Sequence, residues 1–168
     1  MSIKDILQKI NETEYCKVYS PQGLPINIEE GDVLPEDLLE FYTNCGGVEL
    51  FTNADFGVSI VAPDKFVLAN PIIVGEKCEY DISSHWYIFG DLGNGNFLSI
   101  DLHPDRLGKC YDSHWDSHGV VGSSTVVANS FTDLLNRILI SKGGGESWYW
   151  YSDDFESLGD AYDGIEIE

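Results

Sequence analysis

Basic residues are scarce in this sequence. The 168-residue chain has 9 lysines and arginines against 29 aspartates and glutamates, giving a formal net charge of −20 at pH 7. A surface of that sign repels DNA, RNA and anionic membranes, so the composition predicts no nucleic-acid partner and no membrane partner. The same charge accelerates encounters with positively charged proteins. We therefore expect a basic protein partner, with solubility as the alternative reason for the acidity.

Long apolar runs and closely paired cysteines are also missing. No run reaches the roughly 20 apolar residues that cross a bilayer, and Lys4, Asp5 and Lys9 interrupt the stretch where a signal peptide needs an apolar core. The four cysteines have no C-x-x-C spacing, which argues against a zinc knuckle and a dense disulfide framework. The sequence thus predicts a cytoplasmic protein with reduced thiols.

Hydrophobic periodicity predicts helices around a mostly antiparallel sheet. Apolar residues repeat at helical spacing in SIKDILQKI, in LPEDLLEFYTNCGG and in FTDLLNRILI. Between the last two segments, period-two patterns occur in VELFT, GVSIVA, PIIVG, HWYIF, NFLSIDL, KCYDSHW and STVVA. No helical pattern separates these runs, so parallel βαβ units are not expected. The prediction is an α+β domain in which N-terminal helices and one C-terminal helix flank the sheet.

The ends of these helices are also predicted from local residue types. Ser2 with Asp5, and Ser130 with Asp133, have the spacing of a capping box. Pro35 suits a first helical turn, and two glycine segments, Gly46–Gly47 and 143–145, end the second and third helices. The predicted core face of the second helix is Leu38, Leu39, Phe41, Tyr42 and Cys45. Residues 13–33 lack a period and are predicted to be a connecting segment.

A glycine-rich loop, FGDLGNGNFLSIDL, could in principle hold a phosphate or a metal. Gly95 is followed by Asn96 and Phe97, so the lysine of a phosphate-binding loop is missing. The loop leads into a strand pattern, which a dinucleotide fingerprint does not, and it lacks the final glutamate of a calcium loop. Because glycine and asparagine tolerate positive φ, the loop is predicted to be a turn between antiparallel strands.

The segment YDSHWDSHGVV is the one candidate for a metal site. In an extended chain, Asp112, His114, Asp116 and His118 would lie on one side, and imidazole with carboxylate is a usable ligand set. The same alternation is typical of a half-buried strand that runs into a polar turn. We favour the strand and keep His114 and His118 as the candidate ligands. No nucleophile has an activating local setting, so neither an enzyme nor a cofactor is predicted.

The C-terminal segment combines acids with aromatic residues. We divide the chain into a single domain, residues 1–145, and an acidic aromatic extension, residues 146–168, packed on that domain. In one interpretation, Trp148, Trp150 and Phe155 complete the core or an edge strand. In the other, the extension is a contact surface, since tryptophan is a favoured interface anchor and acids meet basic partners. The candidate partner-binding residues are Trp148, Trp150, Asp153, Asp154 and Glu156.

Four motifs occur here in the order seen in the SUKH superfamily: LPEDLLEFYTNCGG, WYIFGDLGNGNFLSIDL, GKCYDSHWDSHG and VANSFTDLLNRIL. The chain therefore resembles that superfamily, which includes bacterial relatives of the yeast regulators of cell-wall glucan synthesis, over about residues 34 to 140. The family's motif positions fall on Leu34, Pro35, Phe41, Gly46, Gly47, Gly90, Asp91, Gly93, Asn96, Leu98 and Asp101. Its later aspartate–histidine element matches either Asp116 and His118 or Asp112 and His114.

The resemblance implies a sheet flanked by helices, no catalytic residue, and a role in binding other proteins. Many bacterial members look like immunity proteins that neutralise a polymorphic toxin, often a nuclease. The charge of −20 suits that role, because a nuclease has a positive cleft for phosphates that an acidic inhibitor can occupy. An intracellular scaffold or cell-wall-related regulator of the same fold is the alternative, and a homo-oligomer is compatible with either. A metal-dependent enzyme using His114 and His118 is the third hypothesis.

Overall fold

The computed structural model describes residues 2–142 and 147–165. Within these residues the helices are α1 (Ile3–Glu12), α2 (Glu36–Asn44), α3 (Ala69–Ile73) and α4 (Phe131–Ser141). The strands are β1 (Cys16–Val18), β2 (Val48–Leu50), β3 (Val58–Ile60), β4 (Trp86–Gly93), β5 (Asn96–Asp101), β6 (Cys110–Ser113) and β7 (Val126–Ala128). They form one sheet in sequence order, and each neighbouring pair is antiparallel. The predicted α+β class and meandering sheet are confirmed.

The two faces of the sheet carry two separate apolar clusters. Tyr87 and Phe89 of β4 point into the larger cluster, where α1, α2 and α4 cover the sheet. Trp86 and Ile88 alternate with them and point into the smaller cluster, beside α3 and residues 158–162. This alternation follows from the two-residue period of a strand. The sheet is therefore covered on both faces at β4, which explains why HWYIF is almost continuously apolar.

The capping residues predicted for the first and last helices are confirmed. Ser2 Oγ accepts a hydrogen bond from the Asp5 N–H at 3.2 Å, and the Asp5 side chain accepts one from the Ser2 N–H. Ser130 Oγ accepts from the Asp133 N–H at 3.0 Å. Each bond satisfies a backbone group that the first turn of a helix leaves unpaired. The glycines at 143–145 that were predicted to end the last helix lie outside the described residues.

The loop between Phe89 and Leu102 is a β-hairpin, as predicted. Strands β4 and β5 reverse at Asn94 and Gly95, whose φ angles of 56° and 78° are both positive. That conformation matches the tight turns that join antiparallel strands and favour Asn-Gly. Asp91 Oδ1 accepts a hydrogen bond from the Gly93 N–H at 2.8 Å, which fixes the approach to the turn.

Gly46 and Gly47 end α2 where the backbone passes close to two other segments. Gly47 has a φ of +121°, and a Cβ added to it would lie 2.7 Å from the Ile60 carbonyl oxygen. A Cβ on Gly46 would collide with the Ser20 carbonyl oxygen. These glycines therefore allow the chain to leave α2 and enter β2 against its neighbours, which is a structural reason for the predicted motif.

Four local predictions differ from the structure. PIIVG does not form a strand, because it lies in and just after α3, with Ile72 and Val74 exposed. Leu39 is 40% exposed and does not belong to the core face of α2. Pro35 precedes α2 as its cap and does not lie within the first turn. Strand β1 lies inside the segment predicted to be only a connection, but its three residues are too few to show a period.

Asp101 lies at the end of β5 and is fully buried. Its Oδ2 accepts hydrogen bonds from Tyr111 Oη at 2.7 Å, Arg106 Nε at 2.9 Å and Trp86 Nε1 at 3.2 Å. Burial raises the pKa of Asp101, opposed by the hydrogen bond from Tyr111 and the charge of Arg106. This carboxylate joins β4, β5 and β6 and gives the predicted motif aspartate a structural role.

In the described residues, no helix combines the length and apolarity that spanning a bilayer requires.

Candidate functional site

The C-terminal extension lies against the side of the domain that carries β6 and β7. Trp150 is 5% exposed, and its Nε1 donates a hydrogen bond to Asp112 Oδ2 at 3.2 Å. Trp148 is half-buried and donates from Nε1 to the Gly57 carbonyl oxygen at 3.2 Å. The two indole rings stack with centroids 5.9 Å apart. Trp150 therefore has a packing role and offers little surface to a partner, whereas part of Trp148 remains accessible.

Asp112 connects the extension to β6. Besides Trp150, its carboxylate accepts a hydrogen bond from the Tyr151 hydroxyl and pairs with His114 Nδ1. Desolvation by burial, followed by the bond to Asp112, raises the pKa of Tyr151 well above the ordinary value of a phenol. Tyr151 is thus a neutral donor at physiological pH. The carboxylate of Asp112 can be buried because side chains of this chain satisfy its hydrogen bonds.

Further along the chain, residues 158–162 cross the β7 edge and contact the other face of the sheet. Asp160 Oδ1 accepts from the Ser124 N–H at 2.8 Å, and Asp160 pairs with Thr125 as an isolated β-bridge. Tyr162 is buried, and its hydroxyl donates to Asp81 Oδ2 at 2.8 Å. The extension therefore touches both apolar clusters. The proposed domain boundary at residue 145 lies within 143–146, outside the described residues, and stays a prediction.

The four residues of the candidate metal site do not converge on one point. Strand β6 ends at Ser113 and a turn follows at residues 115–119, so the chain is not extended through His118, and the favoured interpretation of a strand that runs into a polar turn is confirmed. His114 packs against Trp148, with ring centroids 5.8 Å apart, while His118 packs against Trp86 in the smaller cluster. Among the residues that the structure describes, no three His, Cys, Asp or Glu side chains are grouped closely enough to hold a metal ion.

His118 has a structural environment. Its Nδ1 lies 2.9 Å from Ser113 Oγ and its Nε2 lies 2.6 Å from Asn70 Oδ1. Because Asn70 Oδ1 can only accept, Nε2 carries the proton and Nδ1 accepts from the serine hydroxyl. Desolvation by burial lowers the pKa of His118 to about 4, against a smaller opposite effect of Asp81. The imidazole is therefore neutral at physiological pH and links α3 to β6.

The thiols show no sign of activation. The four cysteines are free, and Cys45 and Cys110 are buried. Burial raises the pKa of Cys45 to about 11 and that of Cys110 well above its ordinary value. A nucleophilic cysteine needs the opposite shift, because the thiolate is the reactive form. The predicted reduced and partly buried thiols agree with this arrangement.

The acids of the extension project into solvent beside a groove. Asp153, Asp154 and Glu156 are exposed. A groove of about 530 Å³ separates this segment from α4. It is lined by Arg137, Ile140, Ser141, Tyr149, Ser152, Asp154, Phe155, Glu156 and Leu158. The guanidinium carbon of Arg137 lies 5.9 and 5.8 Å from the ring centroids of Tyr149 and Phe155. The positive charge in this groove is therefore engaged in cation–π contacts within the chain.

Comparison with known proteins places these elements in a family. The family model described as SMI1 / KNR4 family (SUKH-1) matches residues 28–137. Immunity protein YokJ from Bacillus subtilis (strain 168) is 55% identical over 168 residues, which is 100% of this chain and 100% of that protein. The chain belongs to the SMI1/KNR4 (SUKH-1) family. No solved structure matches it.

The SUKH-1 match covers part of the chain, whereas the alignment with the full-length relative covers all of it. The family match ends at residue 137, within α4, so the extension lies outside it. The identity with YokJ extends over the whole chain and includes the extension. The predicted superfamily membership is therefore confirmed, and the extension is shared at least with that relative.

Two features of the SUKH-1 chain were missed by sequence reasoning. The first is the bond between Trp150 and Asp112, which are 38 residues apart. A pattern that reads neighbouring residues carries no signal for such a contact. The second is the role of Tyr162, whose hydroxyl donates to Asp81 and also lies 3.0 Å from the Gly119 carbonyl oxygen. An aromatic residue among acids suggests that Tyr162 is packed, but the sequence does not indicate that it contacts Asp81.

Proposed function

We propose that this chain is an immunity protein, which binds a toxin and prevents it from acting. The observation that carries the proposal is the 55% identity with Immunity protein YokJ over the full length of both chains. Identity of that extent covers both the SUKH-1 region and the extension. The toxin is a protein partner, and neutralisation requires a complex and no turnover.

The absence of catalysis is part of the proposal. His118 is neutral and bonded on both ring nitrogens, and the carboxylate of Asp112 is bonded to Trp150 and Tyr151. Burial raises the pKa of Cys110, which opposes thiolate formation. Asp112 and His118, two residues of the candidate metal site, are thus occupied in holding the fold together.

The proposed toxin carries a basic surface. With 29 acids and 9 bases, this chain attracts a positive protein over a distance and speeds their encounter. A nuclease fits that description, because its cleft is built to bind phosphates. Under this proposal, the inhibitor occupies the cleft with carboxylates in place of the nucleic-acid backbone.

The acids of the extension form one proposed part of the contact. Asp153, Asp154 and Glu156 are exposed on a segment that Trp150 fixes to β6. A fixed segment presents charge at a lower entropic cost than a mobile tail does. The accessible part of Trp148 lies on the same segment and completes this proposed contact, whereas Trp150 acts from the interior.

Complex formation tests the proposal directly. A toxin domain encoded next to the gene for this chain, once identified there, would be co-expressed with it in a catalytically inactive form, and the mixture would be analysed by gel filtration. We expect co-elution as a stoichiometric complex that resists dilution. Separate elution of two folded proteins would contradict the immunity role for that pair and would favour a scaffold or cell-wall-related regulator of the same fold.

A further inference from the structure

A second groove lies between residues 26–29 and α3. It has a volume of about 510 Å³ and is lined by Ile26, Asn27, Ile28, Glu29, Val67, Leu68, Pro71 and Ile72. Ile26 is 87% exposed and Ile72 is 58% exposed. Single exposed apolar residues are common, but two isoleucines that border one groove form an apolar surface available to a partner.

An acidic groove continues from this apolar one. Its volume is about 300 Å³, and its walls are Glu29, Glu30, Asp32, Leu68, Lys77, Glu79, Ser84 and His85. Glu29 and Leu68 line both grooves, so the two are halves of one surface. We call it the bipartite groove, with the apolar half bordered by Ile26 and Ile72 and the acidic half bordered by Glu30 and Glu79.

The charges in the acidic half are only partly compensated within the chain. Lys77 Nζ lies 2.7 Å from Glu29 Oε1, and Asp32 pairs with His85 Nδ1 at 2.6 Å. Within the described part of the chain, the exposed carboxylates of Glu30 and Glu79 have no hydrogen-bond partner. Four acids line this half, Glu29, Glu30, Asp32 and Glu79, against one lysine and one histidine, so it keeps net negative charge next to an apolar surface.

We propose that the bipartite groove is the anchoring site for a basic segment of the toxin. One apolar side chain of that segment packs between Ile26 and Ile72, and a neighbouring lysine or arginine lies against Glu30 and Glu79. This inference rests on the proposed immunity function and adds a second, apolar anchor to the contact proposed for Trp148 and the acids of the extension. Interfaces gain most of their affinity from a few well-packed anchors, whereas exposed charges mainly set the association rate.

Charge complementarity selects a basic protein as the occupant. A second copy of this chain also carries −20, so two copies repel each other at long range. A basic segment is attracted, and its aliphatic part can pack on the isoleucines while its charged end meets the carboxylates. Self-association through the same surface is therefore the outcome to distinguish in the test.

The apolar half is tested with paired isoleucine variants. Ile26→Ser and Ile72→Ser would be combined and compared with Val120→Ser combined with Val121→Ser, which alters two valines of 46% and 54% exposure that line neither groove. Binding to the inactive toxin domain would be measured by calorimetry after thermal unfolding has shown that each variant folds. We expect the isoleucine variant to weaken the Kd roughly tenfold or more, and the valine variant to change it less than about twofold.

The acidic half is tested with glutamine variants, which keep side-chain size. Glu30→Gln with Glu79→Gln is expected to slow association and reduce its salt dependence, while Glu14→Gln with Asp64→Asn, which removes the same charge at two exposed acids outside the groove, serves as the control. Equal binding by wild type and all groove variants would overturn the anchoring site and leave the immunity role intact. No binding by wild type would overturn both. A dimer that only Ile26→Ser and Ile72→Ser dissociate, with toxin binding unchanged, would assign the groove to a second copy.

Discussion

At the scale of single residues, Asp101 has the most demanding environment. It is fully buried and accepts hydrogen bonds from Trp86, Arg106 and Tyr111. Removing it would leave one guanidinium and two neutral donors without their acceptor in the interior. Asp101 therefore stabilises the fold by accepting the hydrogen bonds of these three buried donors.

Asp101→Ala is expected to lower the free energy of unfolding by about 3–5 kcal/mol, because it leaves the charge of Arg106 uncompensated. Asp101→Asn keeps the size and one acceptor oxygen, so its loss should be smaller. Urea unfolding followed by tryptophan fluorescence measures both. A loss below about 1 kcal/mol for the alanine variant would contradict the role given to this carboxylate.

His118 makes the stability of the fold depend on pH. Its folded pKa of about 4 lies below the value of 6.5 for a free histidine. Between these values the unfolded chain binds a proton that the folded chain does not, so its protonation favours unfolding. The contribution of His118 to stability is complete above pH 6.5 and decreases as the pH falls toward 4.

The expected loss from this residue between pH 7 and pH 4 is about 3 kcal/mol. His118→Gln removes the titrating group and retains polar atoms for Ser113 and Asn70. Urea unfolding across this pH range should therefore give a shallower pH dependence for the variant than for the wild type. Parallel curves for the two proteins would show that His118 has the same pKa in the folded and unfolded chains, and would contradict its burial as a neutral imidazole.

At the scale of elements, the end of α2 is the most constrained junction. Gly47 combines a φ of +121° with an approach to the Ile60 carbonyl oxygen, whereas Gly95 has a φ of +78° and open space around it. Alanine at Gly47 is expected to cost about 3 kcal/mol, from overpacking and backbone strain together. Alanine at Gly95 should cost about 1–2 kcal/mol from strain alone.

Thermal unfolding of Gly47→Ala and Gly95→Ala compares these two sites within one protein. The variant at the end of α2 should unfold at the lower temperature, because β2 and β3 must separate to admit a Cβ. If Gly95→Ala were the more destabilised, the hairpin turn and not the α2–β2 junction would be the tighter constraint on the fold.

The elements also show where sequence patterns succeed. Helices α1 and α4 were predictable because a capping serine and a long apolar stripe point to the same element. PIIVG failed because it lies in and after α3, where the side chain of Asn70 donates hydrogen bonds to the Lys77 carbonyl oxygen and to Ser83 Oγ. Such tertiary contacts override the β propensity of isoleucine and valine.

The candidate contact surface was predictable only in part. The exposure of Asp153, Asp154 and Glu156 follows from their charge, whereas the burial of Trp150 depends on Asp112, a distant residue in the sequence. The bipartite groove likewise depends on contacts between residues that are far apart in the sequence. Residues 26–29 and α3 meet because Tyr87 of β4 donates to Asp32 and accepts from the Glu29 N–H, and local periodicity contains no record of these bonds.

At the scale of the whole molecule, charge governs the encounter with a partner. Asp153, Asp154 and Glu156 hold three of the 29 acids, and we expect their replacement by serine to slow toxin association several-fold and reduce its salt dependence. The matched control replaces three exposed acids elsewhere, Glu12, Glu14 and Asp64, and changes net charge equally. Stopped-flow association over a range of salt concentrations separates the two sets.

The two outcomes of that comparison have distinct meanings. A larger effect at the extension would place part of the contact there, because a nearby charge acts more strongly than a distant one. Equal effects from both triple variants would show that the net charge alone steers the toxin, and the extension would then have only its structural role.

The central claim is that this SUKH-1 chain neutralises a toxin by binding it. The most direct measurement is the growth of cells that express the active toxin domain encoded beside this chain, with and without the chain itself. The account predicts that growth is restored by the wild-type chain and is not restored by the chain carrying Ile26→Ser with Ile72→Ser at matched levels of folded protein. Continued growth arrest in the presence of folded wild-type chain would contradict the claim.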